Sequence, residues 1–423
     1  MPQNPVLPLR GSLRLRPAVG PWHRPAFSVA VATGLPNLLL LAIGRLDLVP
    51  YTSAGTMCAL FAHALPYRER ARTLAWVVAG MTASVAVALT AASLTRSVLA
   101  LVALASLMAG LQKLICDATR LGPPGNVIFT FVTASAFFLP QRLDAVPAHL
   151  ALVGVGGLVA WLVCLAPALV RSHGPALTLA RPRPPRPLRM HLPLAFRVAL
   201  GCALAGGASL AAGVGHPYWA VVTAAAVHRA NTSVSFQRAL QRTVGSLLGL
   251  LVFSVAVPLT HLPRAGALLA LLFVAACQVG AEATITRNYW LGQVFVTPMA
   301  LLLVSLGSAE PVGTLVGDRW LDTVFGAALG MAGAFLVTNR RAGERLTAAL
   351  HQARAAQRLA RTDPVGADAR ARLADALHEL RESADGHAGE WWQRPVPLQE
   401  VAQVEQEGHR MLALLTERQA AHV

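Results

Sequence analysis

Long apolar runs, separated by short polar segments that carry arginine, dominate the hydropathy pattern of this chain. A helix that spans a bilayer needs about 20 mostly apolar residues. The pattern therefore predicts an all-α, polytopic membrane protein with about twelve transmembrane helices. The apolar segments cover about 26–43, 51–65, 73–93, 97–115, 125–139 and 148–170 in the first half, and about 196–213, 217–229, 241–258, 265–281, 289–306 and 320–338 in the second.

Two of these segments, 51–65 and 217–229, are short for a span, so whether they cross fully is left open. The two halves carry matching landmarks. Tyr51 and Tyr218 each follow a proline and open an apolar run at an offset of 167 residues, and Thr133 and Thr297 each follow a valine at an offset of 164. Because six spans per half is an even number, both halves enter the membrane from the same side. We therefore expect two parallel six-helix repeats.

Composition changes along the chain and divides it into five parts. The joint between the halves contains the run Arg-Pro-Arg-Pro-Pro-Arg-Pro from Arg181, and proline excludes helix, so we expect a stiff cytoplasmic linker. A contact with lipid headgroups is the alternative for this linker. The predicted parts are a basic cytoplasmic N-terminus at 1–25, a first membrane repeat at 26–170, the linker at 171–195, a second membrane repeat at 196–338 and a cytoplasmic helical tail at 339–423.

The tail changes from continuous apolar runs to amphipathic spacing. Leu346, Leu350 and Ala353 recur at helical intervals, and so do Leu373 and Leu377. A third helix follows with Val401 and Val404. This spacing predicts about three helices that pack on the bundle or on a second subunit.

Charge supports the membrane class and sets an orientation. Only 13% of the 423 residues are charged and 55% are hydrophobic, whereas soluble proteins carry about 25% charged residues. The net charge is +16, and because 339–423 contains 12 arginines and 12 acids, the whole excess lies in the membrane part. With both termini in the cytoplasm, the inner loops hold 19 Lys and Arg and the outer loops hold 5.

This distribution predicts a multi-pass plasma-membrane protein whose partner is the lipid bilayer, and no nucleic acid is needed to explain the charge. The abundance of Arg and Ala suggests a bacterial source. Motifs for chemistry are missing. The sequence has no phosphate-cradling Gly-x-x-x-x-Gly-Lys-Ser/Thr, no His-Glu-x-x-His, no Cys-x-x-Cys and no Gly-x-Ser-x-Gly. Its five scattered cysteines are typical of small buried side chains. We expect no enzyme activity, no cofactor and no metal.

The most specific signal lies in the second half. A Tyr-Trp pair opens a short apolar segment, an arginine stands three residues before a Gly-x-x-x-Gly pair, and an Asp-Thr precedes a second glycine pair. This combination resembles the fusaric-acid-resistance family of integral membrane transporters, also called aromatic acid exporters. The likeness is good over 196–338 and weak over 26–170. The residues that carry it are Pro217, Tyr218, Trp219, Arg242, Gly245, Gly249, Asp322, Thr323, Gly326 and Gly330.

Each motif residue also has a plain structural interpretation. The four glycines are spaced for close helix packing. Arg242 begins its apolar segment, where it is either an interfacial anchor or a capture point for an anionic substrate. Tyr218 and Trp219 are expected in an aromatic belt at the outer surface, and stacking on a substrate is the alternative.

Ionisable and polar groups inside spans are candidates for a transport pathway. Asp322 and Arg319 are the main pair, although a local ion pair that also involves Asp318 is an equally good interpretation. His63 and His228 stand at nearly equivalent repeat positions and are candidates for proton relay or for ordinary hydrogen-bonded histidines. The remaining polar candidates are Gln278, Gln293 and Thr297.

The resemblance implies a secondary exporter of aromatic or amphipathic organic acids and related toxic compounds, driven by the proton gradient. A basic inner rim formed by Arg229, Arg238 and Arg242 is compatible with anionic substrates. Two alternatives stay open, namely a passive organic-anion channel and a membrane scaffold that acts through its helical tail. The expected partners are the bilayer and a small organic anion, with a homodimer left open.

Overall fold

The structure is a computed structural model that describes residues 12–15, 23–170, 188–229, 231–263, 265–307, 311–337, 342–362, 367–388 and 398–421. Across these residues every regular element is a helix, which confirms the all-α class. The first half contains α1 His23–Ala42, α2 Val49–Thr56, α3 Tyr67–Leu94, α4 Val98–Ala118, α5 Asn126–Ala136 and α6 Val146–Val170. The second contains α7 Leu192–Ala211, α8 Tyr218–Val227, α9 Thr232–Ala256, α10 Gly266–Thr284, α11 Tyr289–Gly307 and α12 Val312–Leu336.

A helix therefore lies in each predicted apolar segment, but only some of these helices combine the length and the apolar composition of a membrane span. Among the described residues, 7 helices have the length and apolar composition of a membrane span, namely α1, α3, α4, α6, α7, α9 and α10. The chain is thus a multi-pass membrane protein, while the twelve-span layout stays a prediction. The proline-rich run from Arg181 lies outside the described residues.

The segments 51–65 and 217–229, which are short for a membrane span, contain the short helices α2 and α8. α2 has 8 residues and α8 has 10, so at 1.5 Å per residue each covers only about half of a 30 Å hydrocarbon core. All ten residues of α8 are buried. A helix that ends at membrane depth is tolerated where protein surrounds its ends, and burial on every side gives α8 that environment.

Close packing between helices holds this part of the molecule together. α1 packs against α10, α4 packs against α7, and α2 packs against α6. At the α2–α6 contact a Cβ on Gly156 would lie 2.3 Å from the carbonyl oxygen of Thr52, so only glycine permits this approach. One apolar core runs through helices of both halves.

The chain divides into two compact units. The bundle unit comprises Leu9–His228 and Gln237–Ala334. The tail unit includes Arg229–Phe236 and Phe335–Val423 and contains α13 Ala342–Thr362, α14 Ala367–Ala388 and α15 Leu398–Ala421. Leu346, Leu350 and Ala353 of α13 pack against Leu380, Val401 and Val404, as their helical spacing predicts. The cytoplasmic position of this unit stays a prediction.

A buried asparagine ties the segment before α9 to the tail helices within the tail unit. Asn231 caps α9, because its Oδ1 accepts a hydrogen bond from the Val234 N–H at 2.9 Å. Its Nδ2 donates to the carbonyl oxygen of Asp385 in α14 at 2.9 Å. One side chain thus satisfies backbone groups of two helices.

We expect Asn231→Ala to loosen α14, because the change removes the cap and leaves the Asp385 carbonyl without this donor. Loss of an N-cap alone costs about 1 kcal/mol. Hydrogen exchange of α14 in detergent measures the effect, and Asn231→Asp, which keeps the cap acceptor but not the donor, isolates the contact with Asp385. Ser97→Ala at the exposed cap of α4 is the matched control. Unchanged exchange in α14 for both Asn231 variants would contradict this prediction.

Candidate functional site

The short helix α8 is the centre around which the candidate residues of the second half gather. It packs against α4, α5 and α7, and α12 approaches it through two glycines. A Cβ on Gly326 would lie 2.4 Å from the Cβ of Thr223 and 2.7 Å from the carbonyl oxygen of Ala220. A Cβ on Gly330 would lie 3.0 Å from the Cα of Ala224. These glycines bring the polar side chains of α12 next to α8.

Arg242 lies in the protein interior. Its side chain is 3% exposed, and its Nε donates to Thr223 Oγ1 at 3.2 Å. Its Nη1 donates to Tyr289 Oη at 3.0 Å and to Gln293 Oε1 at 3.2 Å. All three partners are neutral, and no carboxylate contacts the guanidinium within the described part of the chain.

The prediction that Arg242 starts its helix is wrong, while its position relative to the membrane surface stays a prediction. α9 begins at Thr232, so Arg242 lies about 15 Å along the helix axis from its start. The polar stretch before Arg242 forms helix in spite of its low hydropathy, and this extension carries the guanidinium inward. One turn earlier, the Arg238 guanidinium lies 3.5 Å over the ring of Tyr289.

Arg319 is a second buried guanidinium, placed over the ring of Trp219. The side chain is 1% exposed, and its Cζ lies 5.2 Å from the ring centroid. Its Nε and Nη1 are buried and have no hydrogen-bond partner among the described residues. Arg242 and Asp322 are both near enough for their opposite charges to act on Arg319, although neither forms a hydrogen bond with it. An unpaired buried charge is unfavourable by several kcal/mol, so these nitrogen atoms are suited to a negatively charged ligand.

Asp322 lies one turn along α12 from Arg319, but the two side chains do not pair. Asp322 Oδ1 accepts a hydrogen bond from Ser209 Oγ at 2.5 Å, and its buried Oδ2 has no partner in the described part of the chain. Asp318 instead contacts His216 Nδ1 at 2.8 Å and accepts from the Gly215 N–H at 3.0 Å. The alternative of a local ion pair among Asp318, Arg319 and Asp322 is therefore wrong, because partners on other segments take both carboxylates.

The expected aromatic belt at Tyr218 and Trp219 is also wrong. Both side chains are buried, and Trp219 is 1% exposed. The Trp219 ring stacks on His216 with centroids 4.6 Å apart. Because α8 is surrounded by protein, its aromatic side chains meet other helices and not the lipid headgroups.

The α9–α11 contact supplies the remaining motif positions. A Cβ on Gly245 would lie 2.1 Å from the Trp290 carbonyl oxygen, and a Cβ on Gly249 would lie 2.7 Å from the Cβ of Thr297. This approach brings Gln293 to Arg242, while the fully buried Thr297 Oγ1 has no partner within the described residues. On α12, the Thr323 hydroxyl bonds to the Arg319 carbonyl of its own helix at 2.7 Å.

Three sequence candidates lie apart from this cluster. His63 Nε2 lies 2.6 Å from the Ala59 carbonyl oxygen in the first half. Gln278 lines a separate cavity of about 50 Å³ together with Thr33 and Asn37. His228 is buried at the far end of α8, and neither ring nitrogen has a hydrogen-bond partner among the described residues.

Sequence analysis missed Thr223, Tyr289 and Ser209 as members of the site. Thr223 falls inside the motif segment, but nothing in one sequence indicates that it contacts Arg242. Tyr289 opens an apolar run and Ser209 lies among alanines and glycines, so their roles depend on contacts between distant segments.

Comparison with known proteins gives matches that centre on this same region. Residues 202–333 match the family described as fusaric acid resistance protein-like. The uncharacterized protein slr1298 of Synechocystis is 31% identical over 143 residues, which are 33% of this chain and 18% of that protein. The uncharacterized membrane protein YvaC of Bacillus subtilis is 30% identical over 140 residues, which are 33% of this chain and 22% of that protein. The matched part of the chain thus spans less than a quarter of either relative, and no solved structure matches.

Proposed function

We propose, on the premise that residues 202–333 belong to the fusaric acid resistance protein-like family, that this membrane protein is a secondary exporter of organic acids. Its substrates would be aromatic or amphipathic carboxylates and related toxic compounds, moved out of a bacterial cell at the expense of the proton gradient. The observation that carries the proposal is the buried Arg319 guanidinium, which lies over Trp219 with two nitrogen atoms that have no partner among the described residues.

The geometry suits an aromatic carboxylate in both of its parts. The carboxylate would accept charge-assisted hydrogen bonds from Arg319, which are about twice as strong as neutral ones. The ring would lie in the aromatic surroundings that His216, Tyr218 and Trp219 provide. Arg242, held by neutral partners only, would add to the positive potential that attracts the anion.

We further propose that the twelve helices α1–α12 form two parallel six-helix repeats around a pseudo-two-fold axis along the membrane normal. The exchange of helix pairs supports this arrangement. In two matching repeats, α1 corresponds to α7 and α4 corresponds to α10. The contact between α1 and α10 then corresponds to the contact between α7 and α4, and both contacts are present. A transport pathway at the interface of repeats is a common design. Both termini would then lie in the cytoplasm.

Transport by purified protein in liposomes tests this proposal, with benzoate as the probe and benzamide, its neutral counterpart, as the matched control. We expect a pH gradient to drive benzoate accumulation faster than in protein-free liposomes, which take up the neutral acid passively. We expect no accumulation of benzamide and collapse of the benzoate signal when a protonophore is added. Benzoate flux that follows only the benzoate gradient and ignores the protonophore would indicate a channel. Absence of any flux would favour the scaffold and contradict the proposal.

A further inference from the structure

A cavity between α1 and α10 lies apart from the site around Arg319. It has a volume of about 50 Å³ and is lined by Gly34 and Asn37 of α1 and by Leu272 and Gln278 of α10, among others. The Gln278 side chain is 4% exposed, and its amide forms no hydrogen bond within the described part of the chain. A buried amide without a partner is unfavourable by about 1–3 kcal/mol, so this position requires an explanation.

The matching glutamine of the first half shows how such a side chain is satisfied by the protein itself. Gln112 of α4 stands 166 residues before Gln278. Its Nε2 donates to Thr133 Oγ1 at 2.8 Å, and its Oε1 accepts from Thr130 Oγ1 at 3.1 Å. Thr297, the counterpart of Thr133, is buried and its Oγ1 has no partner among the described residues. Gln278 therefore lacks the internal partners of Gln112, and its donor and acceptor are available to a ligand in the cavity.

The packing of the two halves differs at the same place. Gly34 of α1 matches Gly201 of α7 at an offset of 167 residues. A Cβ on Gly201 would lie 2.4 Å from His228 Nε2, whereas a Cβ on Gly34 would meet nothing within 4 Å. The position on α7 is thus filled by a side chain, and the matching position on α1 borders open space.

The lining of the cavity is uncharged, and this property selects the ligand. None of the described residues that line it is ionisable, so an anion there would be a buried charge without a partner. A primary amide offers both an N–H donor and a C=O acceptor, so it pairs in both directions with a protonated carboxyl or a carboxamide. A cavity of roughly 150 Å³ is needed to hold benzene, so this one has room for such a head group but not for a ring.

We infer that Gln278 binds the neutral, protonated carboxyl group of an aromatic or amphipathic acid that enters from the bilayer between α1 and α10. This inference rests on the proposed function, which supplies the substrate class. Leu38 and Leu272 border the cavity and are 44% and 54% exposed, so in a membrane they contact acyl chains, and the ring of the acid would lie between them. The neutral acid is the form that enters lipid, because transfer of the charged form is far more unfavourable. Arg319 would then take the anion.

Equilibrium binding of radiolabelled benzamide to the purified protein in detergent tests this site, because benzamide is neutral and carries both a donor and an acceptor. We expect saturable binding to the wild type. The affinity should fall about tenfold or more in Gln278→Met, which loses both hydrogen bonds at similar side-chain volume, and in Gly34→Leu, which fills the cavity. Gly207→Leu is the matched control, because a Cβ at this position of α7 meets nothing within 4 Å and lies outside the cavity. It should bind benzamide as the wild type does.

Competition by benzoic acid tests the charge state of the ligand. If only the protonated form binds, the concentration of acid that displaces half of the benzamide rises about tenfold for each unit of pH above the pKa of the acid. Competition that does not depend on pH would overturn the inference. Absence of saturable binding, or binding that neither Gln278→Met nor Gly34→Leu changes, would also overturn it and would indicate a cavity that holds only water.

Arg319→Gln separates this inference from the proposed function. This variant should lose benzoate transport and keep the wild-type affinity for benzamide, because the two sites are distinct. Transport that ignores Arg319 would overturn the proposed function, whereas transport that depends on Arg319 without benzamide binding at Gln278 would overturn the inference alone.

Discussion

Replacing Arg319 with glutamine reduces kcat/KM for benzoate transport by about 100-fold or more, because the substrate loses both a charge and hydrogen-bond donors in a buried site. Arg319→Lys keeps the charge on a single ammonium group but loses the planar set of donors that stacks over Trp219, so we expect an intermediate loss. Initial rates in liposomes, normalised to the amount of reconstituted protein, measure both effects.

Arg142→Gln is the control, because it makes the same substitution of arginine by glutamine at an exposed position. Arg142 bonds to Asp144 on the surface, and an exposed pair contributes little to stability or binding. We expect wild-type transport from this variant. Because no carboxylate pairs with Arg319 within the described residues, Arg319→Gln should also unfold no earlier than the wild type. Transport by Arg319→Gln within threefold of wild type would disprove the role of this residue.

Gly326→Ala is expected to destabilise the bundle unit by about 1–3 kcal/mol, the usual effect of overpacking a tight contact. The new methyl group would lie 2.7 Å from the Ala220 carbonyl oxygen and 2.4 Å from the Cβ of Thr223, so α12 must move away from α8. Displacement of Thr223 would also disturb the hydrogen bond from Arg242 Nε. We therefore expect transport to fall together with the melting temperature.

Gly317→Ala provides the comparison within the same helix. A Cβ at Gly317 would meet nothing within 4 Å, and replacing glycine by alanine inside a helix stabilises it by about 0.5–1 kcal/mol. Thermal unfolding in detergent should thus move in opposite directions for the two variants. Equal melting temperatures for the two variants would contradict this prediction. They would show that the close contact between α12 and α8 does not require glycine at position 326.

Much of the fold follows from local pattern, and most of the site does not. The apolar segments gave the positions of α1–α12, and the shortness of α2 and α8 was visible in the sequence. The glycine pairs indicated close helix contacts before their partners were known. Arg242, Trp219 and Asp318 were placed wrongly, in each case because the prediction assigned a residue to a helix start, to a surface or to a neighbour on its own helix.

The sequence by itself determined that this chain is a bundle of membrane helices. The length of its apolar segments and the position of its arginines depend on the free energy of transfer from water to lipid, which each segment determines locally. Only the tertiary structure decided which apolar helix is lipid-facing and which is enclosed, since lipid and protein interior favour the same side chains. The enclosure of α8, the neutral partners of Arg242 and the stacking of Arg319 on Trp219 arise from contacts between segments far apart in the chain. No local periodicity encodes such contacts.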